Sequence, residues 1–225
     1  MPPRPRARRQ FFFLAGFSIY FGLLWFLWAT PIVYPLKVFV ILLHEVSHAL
    51  AALATGGWVE RIELSPALGG ACYCPGGNAF ITLSSGYLGS LMWGALLLEW
   101  AQRTRRGTHR ITQGLGGVVL GLTLLYVRGL FGMVFGFLFG GALWIFAPKL
   151  SPGANRIFLT FLGLTSSLYA ILDIKEDVLD RPHLPSDAYR LGELTGIPTV
   201  AWGTLWIVLA VGVSGALFLR AFRNA

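Results

Sequence analysis

Seven apolar segments, at about residues 11–30, 36–54, 79–101, 111–127, 129–147, 157–179 and 199–219, each approach the roughly 20 residues that a helix needs to cross a hydrocarbon core. Lipid offers no hydrogen bonds, so such segments must satisfy their own backbone groups and fold as helices. The expectation is an all-α polytopic membrane protein of about six to seven transmembrane helices. The 111–127 segment is the weakest of the set. With 55% hydrophobic and 12% charged residues, the 225-residue chain leaves no stretch for a separate soluble domain, so residues 1–225 read as one unit. Gly114, Gly117 and Gly121, with Gly132, Gly136 and Gly140, predict close helix packing, while leaving a homo-oligomer seam open.

The net charge of +8 would suggest a nucleic-acid partner in a soluble protein. Here the arginines flank apolar spans, which points to anionic lipid headgroups and not to nucleic acid. Arg4, Arg6, Arg8 and Arg9 precede Phe11 without a small-residue cleavage site, so the first span is expected to be retained. Alternating crossings would then place Arg103, Arg105, Arg106 and Arg110 on the opposite side from this cluster, against the positive-inside tendency. Either a segment within 111–147 is not a simple crossing, or the N-terminal cluster does not set orientation.

The second span carries His44-Glu45-Val46-Ser47-His48 inside the apolar run Val38–Leu53. Two histidines four apart project from one helical face, one turn above each other. They are half of a zinc site, and Glu45 beside them is placed to act as general base on water that the metal activates. Ionisable groups at lipid depth are costly, which favours function over two core histidines bonded to backbone carbonyls. One Zn²⁺ per chain is expected.

After this span, alternation from Gly57 to Leu64, a Ser65-Pro66…Gly69-Gly70 turn and Ala71-Cys72-Tyr73-Cys74 read as a small β-hairpin. At membrane depth its open edge needs shelter or a wet cavity, and it could pair with an extended peptide. Cys72 and Cys74 fit alternate residues of that strand better than a metal clip or a mutual disulfide.

Catalytic zinc usually takes three protein ligands. His109 and His183 lie in Arg-rich and Pro-rich connections. Among carboxylates at membrane depth, Asp173, near the end of the sixth span, is the expected third ligand. Asp177, one turn further on, could orient a histidine through a hydrogen bond. Ionised Asp173 and Glu45 would neutralise the dication.

These features together resemble the site-2 protease family of intramembrane zinc metalloproteases, in its compact, mostly bacterial branch. The resemblance rests on the HExxH helix, the Gly-Gly-x-Val-x-x-Ile hairpin, Ser85-Gly86-Tyr87-Leu88-Gly89-Ser90 opening the next span, and a late aspartate. The Ser186-Asp187-Ala188…Thr195-Gly196-Ile197-Pro198 segment and Trp202-Gly203…Trp206 are also similar to that branch, without a role attached. The family implies His44, His48 and Asp173 as zinc ligands, Glu45 as general base, a membrane-protein substrate and a multi-pass protein of a bacterial plasma membrane. Leu172-Asp173 is followed here by Ile174 where many members have glycine. Ser166, Ser167 and Asn78 are the available donors to substrate, none of them assigned.

Other classes remain open on the residues alone. A non-proteolytic zinc-binding regulator would keep the fold, and a metal transporter would need ligands repeated along a pathway. An iron oxygenase would need more His or carboxylate ligands than this chain offers. An interfacial HExxH protease would replace Asp173 by Glu176 or Glu193.

Overall fold

A computed structural model describes residues 5–28, 30–104, 107–181 and 183–224. Arg4, Arg105 and Arg106 lie outside the described residues, as do the side chains of Arg6, Glu176 and Asp177. Eight α-helices follow in chain order: α1 Pro5–Leu27, α2 Tyr34–Ala54, α3 Ala79–Arg103, α4 Thr108–Leu125, α5 Leu130–Phe146, α6 Pro152–Ile174, α7 Asp187–Thr195 and α8 Thr199–Asn224. Six of them, all but α4 and α7, are long and apolar enough to span a bilayer. The polytopic all-α expectation therefore holds at its lower count, and α4 is the weak segment.

Side-chain caps and proline set several helix starts. Asn78 accepts from the Ile81 N–H at the start of α3, and Ser151 accepts from Ala154 N–H with Pro152 following. At its other end α6 loosens into one π-helical turn, Lys175–Asp180. The expected hairpin forms from β1 Arg61–Ser65 and β2 Gly69–Tyr73, paired antiparallel with Ile62 opposite Cys72. A third strand, β3 Val127–Arg128, pairs parallel with β1 from the α4–α5 junction, at the break between the 111–127 and 129–147 segments. The sheet order β2-β1-β3 leaves β2 at the edge.

The most buried helix is α2. Val38 to Leu43 are all buried, packed among Leu97, Val119, Leu159 and Leu162 of α3, α4 and α6. Its two ends both meet the hairpin segment: Tyr34 Oη donates to Pro66 O at 2.8 Å, and Thr55 Oγ1 accepts from Asn78 N–H at 2.9 Å. The sheet thus runs along the helix that carries the histidines.

Gln10 Nε2 donates to Phe222 O at 3.3 Å, and Arg220 meets Glu99 at 3.2 Å. The N-terminal end of α1 and the C-terminal ends of α3 and α8 therefore lie together. The start of α1 and Arg103 thus share one end of the bundle.

Candidate metal centre

His44 and His48 lie one turn apart on α2, with ring centroids 4.8 Å apart. The segment opposite them is α7. Asp187 Oδ2 stands 2.9 Å from His44 Nε2 and 3.0 Å from His48 Nε2, and the three ligand atoms fall within 4.8 Å of one another. Two imidazole nitrogens and one carboxylate oxygen are the donor set of a three-ligand catalytic zinc. Burial alone would push the Asp187 carboxyl up. The charge of His48 and hydrogen bonds from both imidazoles instead hold it well below the usual carboxylate range, so it stays ionised near neutral pH.

Asp173, the expected third ligand, lines the wall of the same cavity but is not part of this group. Asp187 reaches the histidines because a tertiary contact brings in a short polar helix. Ser186 caps α7 by accepting from the Tyr189 N–H, and Gly196 closes it in the left-handed region at φ 73°. Ala188 and Leu191 are wholly buried against Tyr87, Ile174, Val178 and Trp206. Gly203 permits this packing, since a Cβ there would collide with Val178. The Ser186-to-Pro198 and Trp202-to-Trp206 segments thus acquire a role: they seat the aspartate. Asp187 is hidden in the sequence because it lies on α7, outside the apolar segments. The only signal was its position directly after a capping serine in a segment shared with the resembling family. The alternative ligand Glu193 is exposed and outside the group.

The histidines are oriented from behind. His48 Nδ1–H donates to Thr82 O at 2.7 Å, which fixes the ring with Nε2 toward Asp187. The His44 ring stands edge-on to Tyr87 at 4.9 Å, and Tyr87 in turn packs on Trp206. Trp93 Nε1–H donates to Ser47 Oγ at 3.1 Å, which ties α2 to α3.

Two glycines make room for the histidines and Glu45. A Cβ on Gly86 would strike His44 Nε2 and lie 2.6 Å from His48 Nε2, while one on Gly70 would lie 2.5 Å from Glu45 Oε1. Gly86→Ala is therefore expected to leave the fold intact, since only side-chain ends are displaced, yet weaken metal binding roughly 10–100-fold, the scale of a disturbed ligand orientation. Bound zinc per chain and far-ultraviolet circular dichroism check the two halves of that statement.

Glu45 is buried beside the histidines, with its carboxylate against Gly70 of β2. The cavity holds about 770 Å³ and brings together His44, Glu45, His48, Asp187 and the β2 residues Gly69 to Cys72. Its mouth carries Arg181 and Arg190. The donor-substrate candidates Ser166, Ser167 and Asn78 are used elsewhere: Ser166 Oγ donates to Ser90 O, Ser167 Oγ to Gly163 O, and Asn78 caps α3.

Comparison with curated proteins and with solved structures found no match. The family comparison did: the Peptidase M50B-like family matches residues 17–217, nearly the whole chain. The match spans the HExxH helix, the hairpin, α7 and most of α8, and agrees with a His-His-Asp group that could hold a metal. With residues 17–217 covered, the chain belongs to the Peptidase M50B-like family, the site-2 protease family of membrane metalloproteases.

Proposed function

We propose that this protein is a zinc-dependent intramembrane endopeptidase that cleaves membrane-embedded protein substrates, with one zinc per chain held by His44, His48 and Asp187. The observation that carries the reading is the convergence of these three donors in a cavity that Glu45 and a free strand edge also line. Zinc in this position would supply Lewis acidity to a scissile carbonyl and to water. Glu45 takes a proton from water at its carboxylate and passes it to the leaving amine nitrogen. Thr82 O keeps the proton of His48 on Nδ1.

A substrate helix must unwind before its peptide bond is accessible, and the freed backbone groups then need partners. The outer edge of β2 offers an antiparallel or parallel ladder to an extended segment, and Gly69 to Cys72 bring that segment alongside Glu45. Asp173, on the cavity wall, adds negative charge near the site without belonging to the ligand set.

Chelation tests the reading. Removing the metal from detergent-solubilised protein should abolish cleavage of a membrane-spanning peptide, and stoichiometric zinc should restore it. Cleavage that persists in zinc-free protein would overturn the proposal.

A further inference from the structure

We propose that the bundle carries a binding site for one anionic glycerophospholipid, between α1, α3, α6 and α8, remote from the metal centre. A cavity of about 230 Å³ opens there among spanning helices, walled mainly by apolar side chains including Phe17, Leu98, Leu164 and Phe218. Along α3 about 20 Å of helix axis separates Gly86, at the histidines, from Glu99, at this cavity.

Three features single out the ligand. The walls suit an acyl chain and the cavity lies among helices that face lipid, with α1 the least buried of all spans. The cavity also includes Glu99, Gln102 and Arg220, at the joined ends of α3 and α8. Those helix ends and the start of α1 carry Arg8, Arg9, Arg103, Arg220 and Arg223 against one carboxylate, Glu99, which already pairs with Arg103 and Arg220. The surplus is positive and suits a phosphodiester headgroup. Finally, Ser214 Oγ, on the cavity wall, is buried without a hydrogen-bond partner among the described residues. An ester carbonyl at the glycerol level could accept from it, which would end the cost of an orphaned buried hydroxyl.

A lipid seated here fastens α1 to the bundle. The helix otherwise meets α8 mainly through Phe13 and Phe17 against Phe218 and Phe222, and meets α6 through Tyr20, Leu24 and Leu27.

Native mass spectrometry of the full chain in detergent, offered equal phosphatidylglycerol and phosphatidylcholine, tests the site. The expected result is a single retained phosphatidylglycerol, with its preference reduced about fivefold in Arg220→Gln, the loss of one headgroup cation. Ser214→Trp, which fills the cavity, should lose the bound lipid while keeping its zinc. Should that variant fail to fold, Arg220→Gln alone decides, because its side chain is more than half exposed. Equal retention of the two lipids by wild type, or an unchanged preference in Arg220→Gln, overturns the proposal. Either failure leaves zinc content and peptide cleavage untouched, and so is distinct from a failure of the protease reading.

Discussion

Glu45→Gln should lower kcat for peptide cleavage by about 10²–10⁴-fold, the range attached to a positioned general base, while zinc content stays at the wild-type value. In free-energy terms this is about 3–5 kcal/mol of lost transition-state stabilisation. The substitution is close to isosteric. An uncharged amide is easier to bury than a carboxylate in a site where the glutamate is almost fully enclosed. Loss of activity through unfolding is thus not expected, and thermal unfolding of the two proteins should be similar. Equal cleavage by wild type and variant would remove Glu45 from the chemistry. Wild-type zinc with no cleavage by either protein would favour a non-proteolytic zinc protein on the same fold.

The second large effect separates two aspartates. Asp187→Asn should lower zinc affinity by more than about a hundredfold, beyond the loss typical of an outer hydrogen-bond partner, because it removes the charged donor facing both imidazoles. Its helix should survive, since Ser186 remains as the cap and Ala188 and Leu191 remain as the anchor. Asp173→Asn should keep its zinc and alter cleavage only modestly. Zinc titration of both variants, monitored by competition with a chromophoric chelator, distinguishes them. The reverse pattern would return the ligand role to Asp173 and make the Asp187 contacts a metal-free pairing of charges.

Much of the architecture is legible from local patterns. A run of about 20 apolar residues has few alternatives to a helix in lipid, so the spans follow from composition, and the histidine pair follows from the turn of one helix. The hairpin likewise follows from alternation between glycine and proline punctuation, and β1 and β2 form as expected. Less legible is β3. Its two residues are too few to signal a strand, and only the approach of β1 gives Val127 and Arg128 a partner.

Sequence by itself determined that this chain is a helical membrane protein, and that His44, Glu45 and His48 share one helix, because both depend on interactions within a few turns of backbone. Tertiary structure alone decided which carboxylate meets them. Asp187 is 143 residues from His44 and sits on a nine-residue helix too short and polar to signal membrane depth. Its position is set by Ala188 and Leu191 buried against α3, α8 and the end of α6, contacts between distant segments that no local pattern encodes.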